Sequence, residues 1–189
     1  ALDKLIAGKG PNETYLADAI GNGQVHVLHA TQHQGMLSFL EPDIAQNALF
    51  HGFPEWSQVR QLKPLPTVRL DDVGSIPHID VLKVDAQGYE IEVLRSGRYK
   101  LAEAVAVQVE ISFFQLYKEQ PTFGQVDMEL RAMGFVPHCF AGANVMPLAT
   151  EAPLPHTDPH QIIDADLVYA RNFARPMGVE QWKHLAMFA

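Results

Sequence analysis

The rhythm of apolar and polar positions changes along this chain near residue 79. Downstream, short apolar runs alternate with segments of helical period. "DVLKVD" (80–85) is short, apolar and bounded by turn residues, which predicts a strand buried on both faces. "GYEIEVLRSG" (88–97) then places Ile91, Leu94 and Val93 on one side and ends at Gly97, as a helix does. "AVAVQVEI" (104–111) predicts a second buried strand. In "FGQVDMELRAMG" (123–134), Val126, Leu130 and Met133 share one helical face, with Gly134 as the stop. "FVPHCF" (135–140) and "DADLVYAR" (164–171) predict two further strands, and "VEQWKHLAMF" (179–188) an amphipathic helix. Strand, helix, strand, helix, strand, loop, strand predicts a parallel sheet with helices on its faces and an antiparallel pair at one edge.

Upstream the pattern is less regular. Residues 2–8 predict a short helix and 14–21 a strand that ends at "GNG". "QVHVLHA" (24–30) alternates as a strand, 35–43 is partly extended and turned by Pro42, and 44–59 is helical in pieces. Pro64 and Pro66 make 62–73 an extended linker or edge strand. Four prolines between 142 and 160 predict a long loop. These elements divide the chain into one α/β domain, 1–175, and a C-terminal helix, 176–189.

Composition narrows the function classes. Of 189 residues, 47% are hydrophobic and 19% charged, a globular balance. Fourteen basic side chains against 22 acidic ones give a net charge of -8, which argues against nucleic acid or an anionic membrane surface as partner. No apolar run approaches the ~18 residues that span a bilayer. The start, "ALDKLIAGKGPNE", lacks a signal-peptide pattern, so a cytoplasmic location is expected. Cys139 has no cysteine partner in the chain and is expected to be buried and inert.

Candidate chemistry gathers at predicted strand ends, where open α/β sheets bind ligands. Asp85 closes "DVLKVD" just before a helix, as either a helix cap or a ligand-facing carboxylate. Gly88 permits a tight turn or close approach, and Glu90 falls in the first helical turn. Carboxylates at this spacing can share a hard cation or take a proton. Glu110, inside "VQVEISFF", is costly unless paired, and Lys83 is its expected partner if the site is purely structural. Were the two strands parallel neighbours, Asp85 and Glu110 would face one crevice. Asp18, at the end of "TYLADA", can accept hydrogen bonds from a ligand or serve as a turn residue. Asp71 and Asp72 read as a solvated turn. The histidine groups 26/29/33 and 156/160 match no zinc motif, and no dinucleotide, P-loop, zincin or nucleophile-elbow signature is present.

Taken in order, "VRLDDV…IDVLKVDAQGYEIEVLRSG…VAVQVEISF" resembles the FkbM-type S-adenosylmethionine-dependent methyltransferases. The residues that carry the resemblance are Leu70, Asp71, Asp72, Lys83, Asp85, Gly88, Glu90 and Glu110, and it extends over roughly residues 12 to 173. It implies a Rossmann-like class I methyltransferase sheet, mostly parallel with an antiparallel edge, and methylation of a hydroxyl on a sugar or secondary metabolite. It places Asp85, Glu90 and Glu110 on the catalytic side and Asp18, Asp85 and Gly88 on the cofactor side. It implies no dedicated metal site, with a divalent cation beside Asp85 as an option. The family's "D-x-G-A-N-x-G" type cofactor loop is absent from this sequence. The expectation is therefore a domain without its first strands, whose exposed sheet edges favour a homo-oligomer. Two rival readings follow: a non-catalytic interaction module on a methyltransferase scaffold, and a metal-dependent lyase or hydrolase using Asp85 and Glu110.

Overall fold

The structure is a computed structural model and describes residues 7–149 and 160–188. The predicted helix at 2–8 lies largely outside the described residues. Among the described residues seven strands form two sheets: β1 (Ala19–Ile20), β2 (Val25–Thr31), β3 (Val59–Val68), β4 (Val81–Val84), β5 (Ala106–Ser112), β6 (Phe135–Pro147) and β7 (His160–Arg171). Among the described residues these helices accompany them: α1 (Ile44–Asn47), α2 (Phe53–Trp56), α3 (Glu90–Ser96), α4 (Phe123–Ala132) and α5 (Val179–Phe188). One sheet has the order β1-β3-β2 and the other β4-β5-β7-β6.

In the first sheet β3 pairs in parallel with β1 and antiparallel with β2. Pro64 and Pro66 sit inside β3. The Thr67 N–H donates to Gln24 O at 3.0 Å on the β2 side. Alternation therefore turns the missing N–H of both prolines to the opposite edge, where β1 pairs only with Thr67 and Val68. The predicted linker or edge strand is thus the middle strand of this sheet.

The second sheet carries the candidate site. β4 and β5 are parallel, joined through α3, while β7 is antiparallel to both β5 and β6. The antiparallel part is larger than the expected edge pair because β7 inserts between β5 and β6. β6 is also longer than predicted. It runs on through Pro147 and pairs with β7 as far as His160, so residues 142–147 form a hairpin arm in place of a loop. Three register shifts along β6 absorb the irregular residues.

Strict alternation gives this sheet two unlike faces. Val84, Val107, Val109, Ile111, Ala165, Leu167 and Tyr169 point to one core with Ile91 and Leu94 of α3 and Val126 and Leu130 of α4. The other face carries Lys83, Gln108, Glu110, Asp164 and Asp166, none of them fully buried. β4 is therefore not buried on both faces: Val81 is 43% exposed, and among the described residues β4 pairs only with β5.

A second core, Met36, Phe50, Phe53, Leu116, Tyr117 and Ile163, joins the segments on either side of α1, α2, the segment after β5 and β7. At the end of β7, buried Arg171 donates to the carbonyls of Leu101, Ala104 and Met133, with its guanidinium 4.0 Å from the Phe135 ring centre. Cys139 is exposed on the outer strand β6, contrary to the buried thiol expected. No described helix is long and apolar enough to cross a membrane.

Candidate functional site

Parallel pairing sets the site. Val84 lies opposite Val109, so Asp85, the residue after β4, comes level with Glu110, two residues short of the carboxyl end of β5. Antiparallel pairing sets Asp166 opposite Glu110 and Asp164 opposite Ser112. Four carboxylates from three strands thus meet at one end of the polar face.

The turn after β4 is built by Glu90. Its Oε1 accepts from the Ala86 N–H at 2.8 Å and the Gly88 N–H at 3.0 Å. Burial raises the Glu90 pKa, and those two donors oppose the rise. Glu90 is therefore an internal brace for the turn. Gln87 and Gly88 both take positive φ, 50° and 92°. At Gly88 a Cβ would also fall 2.9 Å from Leu40 Cδ1, so the close approach is to protein.

With Glu90 closing the turn, Asp85 does not cap the helix. The N-cap position of α3 is Tyr89, and it makes no side-chain cap. Asp85 is exposed, and its Oδ1 accepts from Gln87 Nε2 at 2.9 Å. The same Nε2 lies 3.2 Å from Glu110 Oε2, and Gln87 Oε1 accepts from the Tyr117 hydroxyl at 3.0 Å. Neither Gln87 nor Tyr117 was singled out by the sequence reading. Glutamine beside two carboxylates has no spacing signature, and Tyr117 arrives from a segment thirty residues away.

Glu110 does not pair with Lys83 as expected. Lys83 Nζ lies 3.9 Å from Asp166 Oδ2, and the Asp166 Oδ1 is buried without a partner among the described residues. Burial, then Asp85 and Asp164, push the Glu110 pKa up to about 8. Asp164 is raised by burial as well, against the hydrogen bond from Asn144 Nδ2 at 2.5 Å.

Asp85, Ala86 and Gln87 line a cavity of about 250 Å³ together with Ala19, Phe39 and Tyr89. Phe39 and His26 each meet the Tyr89 ring edge to face, and the Tyr89 hydroxyl is 3.0 Å from His26 Nε2. Asp18 is exposed and precedes β1, so it does not end a strand; its neighbours Ala19 and Ile20 line the cavity. A second cavity of about 570 Å³ lies beside Asp164 and Asn144, with Trp56, Phe53 and Met146 as its apolar wall.

The Leu70–Asp72 turn stands apart from this site. Asp71 is not a solvated turn residue: its two oxygens accept from the Tyr99 and Lys100 N–H groups at 3.2 and 3.0 Å. Lys100 Nζ returns to the carbonyls of Leu70 and Val73, both at 2.7 Å. Among the described residues no group of three or more histidine, cysteine or acidic side chains is arranged to hold a metal ion. His156 lies outside those residues.

Comparison with known families adds the deciding observation: the methyltransferase FkbM domain matches residues 8–137, well over half the chain. The chain belongs to the FkbM methyltransferase family. The match takes in the acidic turn at 70–72, the β4–α3 turn and the end of β5. No curated protein and no solved structure matches the chain. FkbM methyltransferases use S-adenosylmethionine in general, and the matched segment contains both the cavity wall at 19–20 and the turn at 85–90.

Proposed function

We propose that this FkbM domain methylates a hydroxyl group, with Asp85 as the residue that orients the acceptor and takes its proton. The observation that carries this reading is the convergence of Asp85 and Glu110 on one crevice at the carboxyl ends of adjacent parallel strands, beside an aromatic-walled cavity. Asp85 is exposed and held by a neutral amide, so one carboxylate edge can meet an incoming donor. Glu110 is protonated below about pH 8, so at neutral pH it offers an O–H donor in place of a second negative charge. A hydroxyl, which both donates and accepts, fits between two such groups.

S-adenosylmethionine, when bound, supplies an electrophilic methyl group. The residues present fit one end of it. A cavity of about 250 Å³ between Phe39, Tyr89 and Ala19 accepts a planar ring, with Asp85 at its rim and Asp18 next to its wall. Gly88 serves this cavity through the turn that it permits. Positioning is the main demand of methyl transfer, and Glu90 meets it by fixing the turn that bears Asp85.

Calorimetric titration of the full-length protein with S-adenosylmethionine tests the reading. Saturable binding, weakened roughly five- to thirtyfold by Phe39→Ala, is the expected outcome, since an aromatic wall contributes on the order of 1–2 kcal/mol. Absence of binding at millimolar ligand would sink the methyl-transfer reading and leave the interaction module in its place.

A further inference from the structure

We propose that Gln87 is a positioning residue of this site: its side-chain amide, anchored by Tyr117, donates one N–H to Asp85 and the other to Glu110 and so keeps both carboxylates turned into one crevice. The proposal deepens the reading of Asp85 as the acceptor-side group and rests on it, although its test does not need turnover.

The orientation of the amide follows from its neighbours. Nε2 is within 2.9 Å of Asp85 Oδ1 and 3.2 Å of Glu110 Oε2, and carboxylate oxygens require donors. Oε1 is then left for the Tyr117 hydroxyl, 3.0 Å away, and every polar atom of the amide has a partner. The backbone is fixed as firmly as the side chain. Gln87 holds φ at 50°, a region that side chains with a Cβ avoid. Its carbonyl accepts from Ser38 Oγ at 2.6 Å, and Ser38 is itself paired with His29 of β2. The clamp therefore stands at the seam of the two sheets, with strain of the kind that accumulates at functional sites.

The charges around Glu110 show why a clamp is needed. Asp85 faces it from the end of β4, Glu90 from α3, and Asp164 and Asp166 from β7, with the Tyr117 hydroxyl behind. The nearest cation, Lys83, is directed to Asp166. With Lys83 engaged there, the Gln87 amide is the neutral donor that Asp85 and Glu110 share.

The test uses Gln87→Met, which keeps the length and backbone demands of the residue but removes both donors, and Tyr117→Phe, which removes only the anchoring hydroxyl. The Glu110 carboxyl is titrated by NMR in ¹³C-glutamate-labelled protein. Wild-type Glu110 is expected to titrate near 8. Loss of a donor to the charged form raises this by about one unit in Gln87→Met and by less, in the same direction, in Tyr117→Phe. A Glu110 titration within about 0.2 unit of wild type in both variants would overturn the clamp, leaving Gln87 as a turn residue only. Should Gln87→Met fail to fold, Tyr117→Phe decides alone by the same criterion. A shifted titration in a protein that binds no S-adenosylmethionine would uphold the clamp while the methyl-transfer reading falls, so the two failures are distinguishable.

Discussion

The turns at Leu70–Asp72 and Asp85–Glu90 are both acidic and both sit at the end of a strand, yet they hold their carboxylates in opposite ways. Asp71 is locked onto two backbone amides of the segment after α3, and Leu70 packs so tightly there that a Cβ on Gly97 would lie 2.6 Å from its Cδ2. In the second turn, Glu90 takes over the backbone amides and leaves Asp85 with a single side-chain partner. A carboxylate that satisfies backbone donors belongs to the fold. One held by an amide at an open strand end is free to meet a ligand.

Four substitutions would break or sharpen this contrast. Asp85→Ala should reduce methyl transfer roughly 100-fold or more, as loss of a general base does, while the melting temperature stays within a few degrees. Wild-type turnover in that variant would remove Asp85 from the chemistry. Glu110→Gln comes next and acts on stability. A carboxyl whose folded pKa is raised is stabilising while protonated and loses that contribution as pH rises from its ordinary range through about 8. Denaturant titrations should find the variant more stable than wild type at pH 9, by an amount that vanishes towards pH 4; equal curves at both pH values would contradict the buried, carboxylate-crowded setting of Glu110.

The remaining two fall on the structural turn. Gly97→Ala should cost about 1–3 kcal/mol through the clash with Leu70, read from urea unfolding midpoints. Asp71→Ala should cost about 1 kcal/mol through the loss of two amide contacts and leave turnover unchanged. A large activity loss from Asp71→Ala, at unaltered stability, would erase the distinction between the two turns.

The α3 and α4 faces, the stop at Gly97 and the parallel β4–β5 pair were legible because each depends on local period and a punctuating glycine. The convergence of Asp85 and Glu110 followed from that pairing. What was misread depends on partners far away in sequence. "VQVEIS" alternates strictly, yet its apolar density suggested burial on both sides; only the sheet shows Gln108 and Glu110 on the polar, partly buried face. The arm at 142–147 reads as loop from its flanking prolines, whereas β7 recruits it as strand. Lys83 reaches Asp166 because β7 inserts beside β5, which no local pattern announces. Gln87 and Tyr117 were invisible for the same reason.

The clasp made by Arg171 has a consequence for behaviour in acid. Its hydrogen-bond acceptors are carbonyl oxygens of Leu101, Ala104 and Met133, which do not titrate. Ion pairs such as those joining Glu129 to Arg95 and Arg98 use a charged carboxylate as acceptor, which this clasp does not. The joint between the end of β7, the start of β5 and the end of α4 keeps its full set of donors and acceptors throughout. Acidification removes none of the acceptors that hold this corner of the molecule together.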